Sequence, residues 1–175
     1  MPLPTTAALS FVLHLDTHLG AIIAAHGPAT YALLFAIVFC ETGLVLTPFL
    51  PGDSLLFAAG AFAALGALHL PTLLAVFISS AFLGDAVNYA AGAFLGEKAL
   101  KAGLIRREFV AKTEAFYGRH GGRAVVLARF VPIVRTFAPF VAGVAAMPYG
   151  SFSAYNAGGA VLWGVSLTVA GALFG

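Results

Sequence analysis

Two long stretches of this chain, residues 54–84 and residues 136–175, contain no Asp, Glu, Lys or Arg. A helix needs roughly 20 apolar residues to cross a bilayer, so each stretch has room for one. The charges that remain are sorted by sign. All nine Lys and Arg lie between Lys98 and Arg135, whereas outside residues 97–135 only Asp16, Glu41, Asp53 and Asp85 carry charge. Of the 175 residues 61% are apolar and 9% charged, with a mean hydropathy of +0.97. So small a chain cannot enclose that much apolar surface within itself, and lipid has to cover it. The composition excludes a disordered chain, a nucleic-acid binder and an ordinary soluble enzyme, and predicts one integral membrane domain, 1–175. The seven basic residues from Lys98 to Arg123 put that segment on the cytoplasmic side by the positive-inside rule. With no Lys or Arg ahead of the first apolar run, a cleaved signal peptide is not expected. The single cysteine, Cys40, cannot close an internal disulfide and reads as a small apolar residue of a membrane helix.

Break signals divide the domain. Residues 1–26 read as an amphipathic helix at the interface, with Phe11, Leu15 and Leu19 four apart. Gly27-Pro28 ends it. Residues 29–66 hold a helix to about Leu46, then Pro48-Phe49-Leu50-Pro51-Gly52, which cannot continue a regular helix, then a second helix with Asp53 at its start. Residues 71–96 suit a spanning helix. Along it Ser80, Gly84, Asn88, Gly92 and Gly96 recur four apart, a stripe that permits close packing. Asp85 and Tyr89 lie beside the stripe, and an acid in a membrane helix faces the bundle interior. Residues 97–123 are polar and include a surface helix from Glu108 to about Tyr117, its charges facing water and lipid headgroups. Residues 124–147 contain a second broken segment, in which Arg129 and Arg135 sit in an apolar run interrupted by Pro132 and Pro139. Met147-Pro148-Tyr149-Gly150 makes a turn, and residues 151–175 form a final span.

The two breaks are alike: charge, proline, charge, then an Ala-Gly pair, Ala59-Gly60 and Ala142-Gly143. The first carries acids and the second arginines. Broken backbone at membrane depth is tolerated only where protein or a wet cavity surrounds it, which favours a re-entrant hairpin over two full spans at the first break. Paired Pro/Gly-interrupted segments in two halves point to an inverted-repeat transporter. Five ionisable residues fall in apolar surroundings: Glu41, Asp53, Asp85, Arg129 and Arg135. Their formal sum is −1. One reading is a set of buried ion pairs that close the hairpins together. The other is a polar cavity at the midplane. Arginine's planar fork suits phosphate, and two arginines six apart can grip one phosphate from two directions. Carboxylates in a low-dielectric cavity can exchange protons near neutral pH. An enzyme is not expected. None of His14, His18, His26, His69 and His120 lies in a broken segment, Gly52-Asp53-Ser54 lacks the glycine of a nucleophile elbow, and no P-loop, dinucleotide fingerprint or metal-ligand cluster occurs.

The blocks FCETGLVLTPFLPGDSLLFAAGA (Phe39 to Ala61), GDAVNYAAG (Gly84 to Gly92), GEK (Gly96 to Lys98), FYGRHGGRAVVLARFVPIVRTFAPFVAG (Phe116 to Gly143) and YNAGGAVLW (Tyr155 to Trp163) carry a further signal. On them the chain resembles the DedA family of bacterial membrane proteins, also called the SNARE-associated or VTT-domain family, over roughly Phe11 to Gly175. The resemblance implies an all-α integral membrane protein of the bacterial cytoplasmic (inner) membrane. Two opposed re-entrant helical hairpins would pack among its spanning helices, broken at Pro48, Pro51, Gly52, Pro132 and Pro139. It implies a flippase for polyprenyl-phosphate lipid carriers, notably undecaprenyl phosphate, that is proton-coupled. The family's essential arginines match Arg129 and Arg135, which would bind phosphate. Its essential acids match Glu41 and Asp53, which would exchange protons. Asp85 and Asn88 fall in another family motif and, with Tyr89, are expected as supporting polar residues. The expected partners are the polyprenyl-phosphate lipid, protons and membrane lipids, with no nucleic acid, cofactor or metal; self-association is open. The alternatives are an uncoupled lipid scramblase and a structural envelope-homeostasis protein. Family members continue past the Trp163 helix with a loop and another span, so a C-terminal helix is expected to be absent here. The turn after Met147 often carries basic residues in the family and reads Pro148-Tyr149-Gly150-Ser151 here, so a headgroup contact is expected to be missing.

Overall fold

A computed structural model describes residues 15–44, 52–102 and 119–175, together with positions 111 and 115. The expected breaks Pro48 and Pro51, residues 1–14 and most of the surface helix from Glu108 to Tyr117 lie outside the described residues. Every regular element among the described residues is an α-helix. These are α1 Leu15–His26, α2 Ala29–Gly43, α3 Gly52–Ala64, α4 Leu70–Lys101, α5 Arg123–Ala128, α6 Pro132–Val144 and α7 Tyr149–Phe174.

Length sorts them. In α4 the 27 residues Leu70–Gly96, and in α7 the 26 residues Tyr149–Phe174, are long and apolar enough to cross a membrane. They span about 40 Å against a hydrocarbon core of about 30 Å. The 15 residues of α2 and the 13 each of α3 and α6 reach only about 20 Å. Helix ends follow local chemistry. Gly27 (φ +49°) ends α1 and Gly66 (φ +79°) lies just past α3, in the left-handed region that costs glycine little. A residue before proline is pushed out of the helical region, and Val131 is extended (φ −113°, ψ +105°) ahead of Pro132, which opens α6. The second break is therefore made at residues 129–131.

Pro139 corrects the sequence reading. Expected as part of the break, it stands inside α6, which continues to Val144. A proline removes one helical hydrogen bond, and neighbouring helices supply others: the Asn88 side chain of α4 donates to the Thr136 carbonyl at 2.9 Å, one residue past the carbonyl that Pro139 leaves without its helical donor.

The packing exchanges the two broken segments. α2 lies on α4 and α5 on α7, each next to the long helix that follows its own break. The helices after the breaks cross over: α3 packs on α7, and α6 packs on α4. α4 and α7 meet each other, so both halves share one frame. Glycines set the crossing seams. A Cβ on Gly60 would collide with the Thr168 carbonyl and one on Gly171 with the Phe57 carbonyl, joining α3 to α7. Gly143 is closed in the same way by the Tyr89 carbonyl and Gly92 by the Phe140 carbonyl, joining α6 to α4. The stripe Ser80–Gly96 is thus a packing seam, and its Gly84 abuts Gly43 and Thr42 of α2. Asn88 ties the seam on both sides, donating to the Thr42 carbonyl of α2 (3.1 Å) as well as to Thr136 of α6.

Two apolar clusters result. One holds Leu34, Val38, Leu55, Leu56, Phe77 and Trp163, from α2, α3, α4 and α7. The other holds Tyr89, Val125, Ala142, Met147 and Phe152. Replacing Gly143 with Ala should lower the thermal unfolding midpoint in detergent, since overpacking costs about 1–3 kcal/mol. Gly158→Ala, where a Cβ meets open space, should leave the midpoint unchanged or slightly raised. Equal midpoints for the two variants, followed by helical circular dichroism, would count against the close approach.

Candidate functional site

Arg135 enters from the first turns of α6, where the positive end of the helix disfavours a cation unless it is countered. Two carboxylates counter it. Its Nη2 donates to Glu41 Oε1 at the end of α2, and its Nη1 donates to Asp53 Oδ1 at 2.7 Å, in the first turn of α3. Both acids stand at the N-terminal end of α3, where negative charge is favoured. The Glu41 carboxylate lies so close to Gly52 that a Cβ there would overlap it. Gly52, expected as a breaker, is therefore also the position that makes room for Glu41.

Arg129 caps α5 at the second break. The next amides fold back by tight turns, Phe130 to the Leu127 carbonyl and Val131 to the Ala128 carbonyl, which turns the chain toward α6. The guanidinium Nη2 donates to Asp85 Oδ2 on α4 and to Asn156 Oδ1 on α7 at 2.6 Å. Asn156 in turn donates to the Phe82 carbonyl at 3.1 Å. The Arg129–Asp85 contact is made through a single atom pair, and Arg129 Nη1 and Asp85 Oδ1 stay buried with no hydrogen-bond partner.

Trp163 of α7 lies close to both arginines. The Arg135 guanidinium carbon lies 5.0 Å and that of Arg129 5.9 Å from its ring centre. Its indole N–H donates to Asp53 Oδ1 at 2.9 Å, the same oxygen that Arg135 holds. The arrangement divides the five charges into an Arg135–Glu41–Asp53 group of formal charge −1 and a neutral Arg129–Asp85 pair. Four of these side chains are at most 9% exposed, whereas Asp53 is 47% exposed, so the network opens outward at Asp53.

The structure thus brings together Glu41, Asp53, Asp85, Arg129 and Arg135. Asn88 serves the helix seams, and Tyr89 belongs to the second apolar cluster, where it stacks on Phe152 (4.4 Å) and its hydroxyl donates to the Met147 carbonyl. Asn156 and Trp163 were not among the candidate site residues. Their signal was there: Asn156 is a lone amide in an uncharged span, and Trp163 is the one tryptophan of the chain. Among the described residues no cluster of His, Cys, Asp and Glu is arranged to hold a metal.

Removing one partner of a buried pair leaves an uncompensated charge, so Asp85→Leu should cost about 3–5 kcal/mol. Adding Arg129→Met to it should restore most of the loss. Thermal unfolding in detergent checks this, and a double variant no more stable than the single one would contradict the pairing.

A family model of the VTT domain matches residues 50–173. The chain is 52% identical over 172 residues to Protein DedA of Escherichia coli strain K12, across 95% of this chain and 78% of that protein. It is 38% identical over 159 residues to an uncharacterized membrane protein of Mycobacterium leprae, across 89% of this chain and 69% of that one. It is 33% identical over 151 residues to the inner membrane protein YghB of Escherichia coli strain K12, across 85% and 66%. No solved structure matches the chain. The apolar spans and these relatives agree: the chain is a membrane protein and belongs to the DedA family of VTT-domain proteins.

Proposed function

We propose that this protein translocates a polyprenyl-phosphate lipid carrier, such as undecaprenyl phosphate, across the cytoplasmic membrane in exchange with protons. The observation that carries the reading is the buried Arg129 guanidinium, whose Nη1 has no partner while its Nη2 is held by one acid and one amide. A phosphate is the group whose oxygens fit an arginine fork. On this reading Arg129 and Arg135 bind the phosphate. As it draws the Arg135 guanidinium away, Glu41 and Asp53 lose their counter-charge and take up protons; they release them when Arg135 returns. The shortness of α2, α3 and α6 supports two re-entrant hairpins that enter the bilayer without crossing it. The basic segment 98–123 would then face the cytoplasm.

Arg129→Gln and Arg135→Gln should each lower transport of undecaprenyl phosphate in reconstituted vesicles at least about tenfold. Unchanged transport in both variants would sink the assignment. Transport should also respond to an imposed pH gradient, and flipping indifferent to the gradient would favour an uncoupled scramblase.

A purely structural reading has its own supporting observation, since each of the five charges already has a partner. Exchanging the paired residues, Asp85→Arg with Arg129→Asp, distinguishes the two. Full function in the exchanged variant would favour structure alone, whereas loss of transport from a stably folded variant supports a phosphate site.

A further inference from the structure

We infer that Trp163 is a positioning residue that couples the two arginines, so that the occupancy of one changes the geometry of the other. The inference rests on the transport reading above but adds a residue that the reading does not use. Three contacts carry it. Both guanidiniums lie within about 6 Å of the same ring, the range over which an aromatic face attracts a cation. The indole N–H shares Asp53 Oδ1 with Arg135. The ring itself is fixed: Trp163 is 2% exposed and packed among Leu56, Phe77 and Ala160 of the first apolar cluster.

The consequences follow from that geometry. Two cations drawn to one ring repel each other, so withdrawing either one strengthens the hold on the other. When Arg135 is drawn away by an anion, the indole N–H still holds Asp53 in place to receive the arginine again. A leucine would fill part of the same space and offer neither the ring face nor the N–H. Because Trp163 sits on the spanning helix α7 and Asp53 on α3, the indole also ties the first broken segment to the long helix of the other half.

Trp163 is the sole tryptophan, so its emission reads the network without any ligand. In purified full-length protein, Arg129→Gln and Arg135→Gln should each shift the emission maximum more than Lys98→Gln does. The double arginine variant should depart from the sum of the two shifts. Shifts that simply add, or no shifts, would overturn the inference. The second arm uses farnesyl phosphate as probe, with binding measured in detergent. Arg129→Lys and Arg135→Lys should be non-additive by at least about threefold in Kd. They should become additive in the Trp163→Leu background, with Trp163→Phe, which keeps a ring, in between. A tryptophan that merely fills space would weaken binding in every background and leave the non-additivity unchanged, and that result would also overturn the inference. Should farnesyl phosphate fail to bind the unaltered protein, the transport reading falls, and the emission arm alone decides the role of Trp163.

Discussion

A guanidinium buried in an apolar bundle has to find its counter-charge inside the same bundle, because the cost of an unpaired ion there exceeds what any packing can return. Among the described residues two are buried, Arg129 and Arg135. Arg135 is met by acids from α2 and α3, and Arg129 by an acid from α4 and an amide from α7. Each arginine therefore gathers helices that are distant in sequence, 82 to 94 residues apart for Arg135 and 27 to 44 for Arg129. The bundle can close only in an arrangement that satisfies both sets together.

That demand explains the glycine seams. Polar side chains reach one another across the centre only if the helices that carry them come close, and close approach needs backbones without intervening side chains. Gly60 against Thr168 and Gly143 against Tyr89 bring the helices after the breaks onto the long helices of the opposite halves. Asn88 then fixes α2 and α6 to α4 through their main-chain carbonyls. The same close approach that stabilises the bundle thus brings both Arg135 and Arg129 within about 6 Å of the Trp163 ring.

Much of the site was legible before the structure. Charges are so costly in lipid-facing helices that Glu41, Asp53, Asp85, Arg129 and Arg135 stand out from an apolar background by themselves. The stripe from Ser80 to Gly96 was legible as a packing surface because small residues four apart share one face. Pro139 misled, since a proline removes a single helical hydrogen bond and need not end a helix that packing holds together; here α6 runs on to Val144 against α4. Asn156 and Trp163 escaped because a single amide or indole in an apolar span looks like an ordinary interior residue until its partner is known.

The sequence by itself determined that the chain lives in lipid, that a helix opens at Pro132 and which charges stand in apolar surroundings, because each of these follows from local composition and backbone chemistry. Only the tertiary structure decided who pairs with whom. It gave Arg129 to Asp85 and Asn156, gave Arg135 to Glu41 and Asp53, and set one indole against both. Formal charges that sum to −1 admit several pairings. The choice among them depends on which helices cross, and that is fixed by packing between residues far apart in the chain.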